Sequence, residues 1–139
     1  KLGLHYSVVA PRELHLDRET VETCEPLLRA SGGSFAMTDD VAKGVRGADA
    51  VYTDVWASMG EEAKLAERVR LLTPFRVTEE LMASTGKPAS FFLHCLPAVR
   101  GNEVTAQVID GPRSRVWDQA ENRKHTIKAL MLATLGIRA

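Results

Sequence analysis

Short apolar runs alternate with amphipathic stretches along this chain, and each change of period marks a change of element. Tyr6 to Ala10 is a β-rich run closed by Pro11, which reads as a strand. Asp17 is placed to cap a helix over residues 18–30, and Gly32-Gly33 are placed to stop it. Pro26 inside that helix should kink or shorten it. Ser34 to Met37 reads as a weak strand. Thr38 then caps a short helix, Asp39 to Arg46, closed by Gly47. Ala50 to Val55 is a strand by composition. Glu61 to Leu72 is helical, with Ala63, Leu65, Ala66 and Val69 as its apolar positions. Thr78 caps a helix that ends at Gly86. Ala89 to Leu96 is the strongest strand. Thr105 to Ile109 is a short helix before a Gly111-Pro112 turn, and Arg115 to Trp117 a short strand. The closing helix runs from Gln119 to Leu135, with Gly136 as its stop.

Strands alternate with helices, and the clearest strands are continuous apolar runs. That combination predicts an α/β fold: a Rossmann-like parallel sheet with helices on both faces. The 139 residues suffice for one domain of ordinary size. The opening Leu2-Gly3-Leu4 reads as the tail of a helix, whereas doubly wound sheets begin with a strand that becomes central. The expectation is therefore that the first strand and most of a helix precede Lys1.

Composition narrows the function class. Lys plus Arg and Asp plus Glu number 18 each, so no net positive field exists to hold a nucleic acid. No run approaches the roughly 20 apolar residues that span a bilayer, and the first residues carry no signal-peptide pattern. The two cysteines, Cys24 and Cys95, read as free thiols in a reducing cytoplasm. No CxxC or HxxxH spacing suggests a metal. Neither GxGxxG nor a P-loop occurs, so no cofactor is expected.

Candidate chemistry gathers in three segments at element junctions. In Asp54-Val55-Trp56-Ala57-Ser58-Met59-Gly60, strand alternation puts Tyr52, Asp54 and Trp56 on one face. Ser58 with Glu61 makes an S-x-x-E capping box. The pair Asp54 and Ser58 either ties down a turn and a cap, or grips a ligand ammonium with carboxylate and hydroxyl. In Phe91-Phe92-Leu93-His94-Cys95-Leu96-Pro97, an apolar strand stops at a histidine, a cysteine and a proline. Cys95 is either a buried structural thiol or one that orients or deprotonates an amine at the sheet edge. The carbonyls of Cys95 and Leu96 could accept hydrogen bonds there. In Ala120-Glu121-Asn122-Arg123-Lys124-His125, Arg123 lies on the stripe of Ile127, Leu130, Met131 and Leu135, at the N-terminal end of a face expected to be buried. It either pairs with Glu121 or Asp118, or offers its fork to a carbonyl or phosphate oxygen beside the helix N-terminus. His5, His15 and His125 read as structural, and Trp56 and Trp117 as core.

Taken together, the three segments resemble the ornithine carbamoyltransferase family. Asp54 to Gly60 looks like its D-x-W-x-S-M-G loop, His94-Cys95-Leu96-Pro97 matches H-C-L-P, and Glu121-Asn122-Arg123 with His125 matches E-N-R-x-H. The resemblance covers nearly the whole chain but only the C-terminal half of a family member. It implies that residues 1–139 are the ornithine-binding domain of a two-domain enzyme whose carbamoyl phosphate domain is absent from this chain. Asp54 and Ser58 would hold the α-amino group of L-ornithine, with the Met59 backbone near its carboxylate. Cys95 would act on the δ-amine as proton acceptor or orienting group, with His94 as possible support. Cys95 and Leu96 would contact the carbamoyl group of carbamoyl phosphate, and Arg123 would polarise its oxygen. The products are citrulline and phosphate, in arginine synthesis or breakdown. Closure of the Ser58-Met59-Gly60 loop on ornithine belongs to the same implication.

The family's S-x-R-T-R phosphate loop does not occur in this sequence, nor does its upstream asparagine, so the 139 residues alone are expected not to catalyse transfer. Family members are trimers or multiples of trimers. Two alternatives remain open. Aspartate enzymes carry H-P-L-P at residues 94–97, and putrescine and acetylornithine relatives differ around Ser58-Met59-Gly60. A non-catalytic amino-acid-binding or assembly module is the other reading.

Overall fold

The computed structural model describes residues 2–58 and 60–137. Its parallel strands and alternating helices are those of the α/β class that the hydrophobic pattern predicts. Strand β1 (His5–Val9) leads to helix α1 (Arg18–Ser31) and strand β2 (Ser34–Thr38). The two strands pair in parallel, from His5 opposite Ser34 to Val9 opposite Thr38. Helix α2 (Val41–Val45) carries the chain to strand β3 (Ala50–Thr53). Helices α3 (Leu65–Leu72) and α4 (Glu79–Ser84) precede strand β4 (Phe91–His94), which pairs in parallel with β3. Helices α5 (Ala106–Ile109) and α6 (Val116–Thr134) close the chain. The ladders form two two-stranded parallel sheets rather than the one continuous sheet expected.

Local signals set most boundaries. The Asp17 carboxylate accepts the Thr20 amide at 2.7 Å and Gly32 ends α1 at φ 72°, which its missing Cβ permits. Thr78 caps α4 by accepting the Leu81 amide at 3.2 Å. Other expectations need correction. Helix α1 is not shortened at Pro26 but runs on to Ser31. None of its residues is buried, so the carbonyl that loses its donor can be hydrated. Asp40, not Thr38, caps α2, accepting the Lys43 amide at 2.9 Å. The Thr38 hydroxyl serves the preceding turn by taking the Asp40 amide at 3.0 Å. Strand β3 stops at Thr53 because the Asp54 carboxylate captures the Val55 amide at 2.7 Å. Residues 2–4 are not helical; the Leu4 carbonyl accepts the Ser34 amide and leads into β1. The expected strand at Arg115 to Trp117 is only a bridge at Ser114 against Phe92, after which α6 begins at Val116.

The core is one cluster around Phe92, including Val45, Val51, Val77, Leu81, Met82, Val104, Ile109 and Val116. Trp56 is also buried, as expected, but Trp117 is 60% exposed, against expectation. The stripe of Ile127, Leu130, Met131 and Leu135 is open to solvent too. Geometry explains this. A helix of 19 residues spans about 28 Å, whereas the four residues of β4 span about 13 Å. Helix α6 packs on β4 through its first turns and overshoots it. No helix among the described residues is long and apolar enough to cross a membrane.

Candidate functional site

The pairing of Thr53 with His94 decides which side chains meet. In parallel strands, the residues that follow a paired couple leave the ladder side by side at the carboxyl ends, where α/β folds bind ligands. Those residues are Asp54 and Cys95. The Cys95 thiol donates to Asp54 Oδ1 across 3.0 Å, joining positions 41 apart in sequence. The same oxygen takes the Val55 amide, which leaves Oδ2 without a protein donor among the described residues.

Burial, reinforced by the bond to Asp54 and by the carboxylate charge, pushes the Cys95 thiol above its ordinary value. It therefore remains an S–H donor at neutral pH. Tyr52, two residues before Asp54 on the same strand face, is the third member of this group. Its phenol is raised by burial and then by its bond with Cys95, and Gln119 opposes the rise.

Tyr52 and Cys95 line a cleft of about 640 Å³ together with Leu93, Gln119, Asn122 and Arg123 among others, whereas Asp54 meets it only through its bond to Cys95. That volume lies in the range of small-molecule sites. The Arg123 guanidinium has no ion-pair partner among the described residues, so pairing with Glu121 or Asp118 does not occur. Glu121 lies instead 3.6 Å from His125. Arg123 is not at a helix N-terminus or on a buried face, as its pattern suggested. It sits two turns into α6, on an exposed surface. Solvent exposure without a counter-charge leaves its fork available to a ligand oxygen.

Other predicted residues fall differently. His94 is wholly buried beneath the strand end. Leu96 follows with φ 60°, and the Leu96–Pro97 peptide is cis. Ser58 is exposed and does not line the cleft; its carbonyl accepts the Glu61 amide at 3.0 Å. Among the described residues its hydroxyl makes no capping bond, while the Glu61 carboxylate reaches back to the Ser58 amide, so only that half of the expected capping box is present. Met59 lies outside the described residues. The loop that carries Asp54 is anchored by Trp56, over whose ring Arg76 sits at 5.9 Å. Arg76 Nε in turn donates to the Asn102 carbonyl at 2.6 Å.

The donor atoms of Asp54, His94 and Cys95 lie within 4.8 Å of one another, a grouping that sequence spacing did not suggest. Both imidazole nitrogens are already engaged: Nδ1 with the Leu96 amide at 2.8 Å, Nε2 with Glu103 at 3.3 Å. Only the carboxylate and thiol remain for any further ligand.

Three contributors escaped the sequence reading. Tyr52 had a visible signal, because strand alternation already put it on the face of Asp54. Gln119, whose side chain accepts the His94 amide at 3.1 Å, and Glu103 are linked to the site only by the tertiary fold.

The model of the family described as "Aspartate/ornithine carbamoyltransferase, Asp/Orn binding domain" matches residues 1–134. An ornithine carbamoyltransferase of Pseudothermotoga lettingae is 58% identical over 135 residues, covering 97% of this chain and 43% of the relative. One from Caldanaerobacter subterraneus subsp. tengcongensis is 56% identical over the same shares. The solved ornithine carbamoyltransferase of Pyrococcus furiosus overlays with a TM-score of 0.84 at 46% identity, over 93% of this chain and 41% of that one. The chain thus spans under half the length of the relatives it matches.

Proposed function

This chain belongs to the aspartate/ornithine carbamoyltransferase family, through its Asp/Orn-binding domain, and from that premise we propose that it provides the amino-acid half of a site that transfers a carbamoyl group from carbamoyl phosphate to the δ-amine of L-ornithine. The polypeptide that carries it is a two-domain cytoplasmic enzyme, trimeric or a multiple of trimers, whose other domain holds the phosphate. The observation that supports this reading most is the Asp54–Cys95 contact at the carboxyl ends of two parallel strands, with Cys95 lining the cleft of Arg123.

The chemistry follows from the charges. Asp54 has a free carboxylate oxygen for a ligand ammonium, with Ser58 and the Met59 backbone brought up when their loop closes. An amine like that of lysine is mostly protonated at pH 7, so the site must hold its neutral form. A thiol kept as S–H is a poor proton acceptor; Cys95 therefore orients the δ-amine rather than deprotonating it. Leu96 meets the carbamoyl group through its main chain. Negative charge that develops on the carbamoyl oxygen is met by Arg123, a cation with no ion-pair partner among the described residues.

The test uses the longer polypeptide that carries this chain. Arg123→Ala should lower kcat by about 10²–10³-fold and leave thermal unfolding unchanged, since the side chain is exposed. Citrulline formation at the parent rate would overturn the assignment. Putrescine, acetylornithine and aspartate, assayed beside ornithine, identify the amine. The 139 residues alone, given both substrates, should make no citrulline.

A further inference from the structure

Beneath the cleft lies a carboxylate that the reaction does not need. Glu103 is 1% exposed. Its Oε1 accepts the Val99 amide at 2.6 Å and faces His94 Nε2 at 3.3 Å. Its Oε2 is buried with no partner among the described residues. A carboxylate is costly to bury, so this one calls for a structural reason.

The reason is visible in the bonds of His94. A backbone N–H can only donate, so Nδ1, which meets the Leu96 amide, is the unprotonated nitrogen. The ring is the Nε2–H tautomer, and that hydrogen goes to Glu103. The Leu96 amide belongs to a residue at φ 60°, a left-handed conformation that leucine rarely adopts. The bond to His94 holds that conformation. The main-chain N–H of His94 meanwhile donates to Gln119 on α6, the helix of Arg123. The buried imidazole thus fixes the turn that carries Cys95 and Leu96, and the His94 main chain ties the same strand end to α6. Glu103 fixes the imidazole.

We propose that Glu103 is a positioning residue that, acting through the His94 tautomer, sets the left-handed turn at Leu96 and with it the place of the Cys95 thiol and the Leu96 main chain at the cleft. Its effect on turnover rests on the carbamoyl-transfer reading; its effect on the thiol does not.

Three variants separate geometry from charge. Glu103→Gln retains an oxygen acceptor for both donors and puts its amide where Oε2 had no partner. Glu103→Asp keeps the charge but withdraws it from His94. Glu103→Ala removes both bonds. In the longer polypeptide, Glu103→Gln should keep the parent kcat. Glu103→Asp and Glu103→Ala should lose about 10²-fold, as misplacement of reacting groups does, with a smaller change in KM for ornithine. In this chain with Cys24→Ser, Cys95 is the single thiol. Its alkylation should be faster in the Asp and Ala variants and unchanged in the Gln variant. The imidazole nitrogen shifts should report loss of the Nε2–H tautomer in the same two. If Glu103→Ala does not fold, the Asp variant carries the test. Folded Asp and Ala variants with parent kcat and parent alkylation rate would overturn the proposal. A Gln variant as impaired as the Ala variant would also overturn it, because charge and not geometry would then matter. If the unaltered longer polypeptide makes no citrulline, the transfer reading falls, and alkylation and tautomer decide this inference.

Discussion

The two parallel strand pairs are built alike and stabilised differently. The β1–β2 pair has the longer register, five residues against four for β3–β4. Yet no residue of β1, α1 or β2 is buried, and Tyr6 is 58% exposed. The buried cluster runs from Val45 to Val116 and wraps β3 and β4. Main-chain pairing therefore does not make a core; burying a face of the pair does, as the face of Val51, Phe92 and His94 is buried here. The candidate site belongs to the covered pair, where a rigid floor can hold side chains in one arrangement. Helix α2 joins the halves. Gly44 lets it lie against Val9 and Thr38, where a Cβ would come within 2.5 Å of Val9, while Val45 beside it enters the core.

The largest expected contrast tests that difference directly. Phe92 is 0% exposed and central, so Phe92→Ala should cost about 3–5 kcal/mol. Tyr6 stacks on Phe35 at 6.1 Å in the open, so Tyr6→Ala should cost about 1 kcal/mol. Urea unfolding of both variants measures the two losses. Equal losses would mean that the outer pair has a core of its own.

The same division governs what could be read from the sequence. Caps are local, so Asp17 and Thr78 could be placed from a few residues. The reactive end of β4 was also legible, because an apolar run that breaks at His94-Cys95-Leu96-Pro97 is a local pattern. The register that sets Asp54 beside Cys95 is not local, and neither is the partnership of Glu103 with His94. Glu103 sits in Gly101-Asn102-Glu103-Val104, where a charged residue reads as a solvated turn. Only the fold shows that it is buried. Arg115 to Trp117 misled for the opposite reason: β propensity there is real, and Ser114 does reach Phe92, but the packing of Val116 against the core starts a helix at once. The apolar stripe of α6 is legible in the sequence, but its exposure is not, because periodicity says nothing of whether a partner surface is long enough.

A smaller effect separates chemistry from stability within the covered half. Asp54 raises the Cys95 thiol by accepting its hydrogen and by its charge, while burial, the larger cause, stays when Asp54 is changed. Asp54→Asn should lower the thiol pKa part of the way. More thiolate at a fixed pH means faster alkylation, so at pH 8 the variant should react faster than the parent, with little change in unfolding. Slower or equal reaction would show that Asp54 does not control the thiol.

The smallest effect belongs to the outer half. Asp17 is held below its ordinary value, first by the Thr20 amide and then by the Thr20 hydroxyl. A carboxyl depressed by folding stabilises the folded state above its ordinary pKa, and that contribution is lost as pH falls through the depressed value. Helix α1 has no buried residue to compensate, so its helicity should decline below about pH 4, the ordinary range of aspartate. Asp17→Asn keeps a good capping side chain but has no proton to gain. The difference in circular dichroism between parent and variant, followed from pH 7 into acid, isolates this group from every other carboxylate. A parent that loses helix more steeply than the variant places the control of α1 in its cap. Identical curves would mean that α1 depends on packing after all, and the contrast between a bonded and a buried half would fail at the point where it is easiest to see.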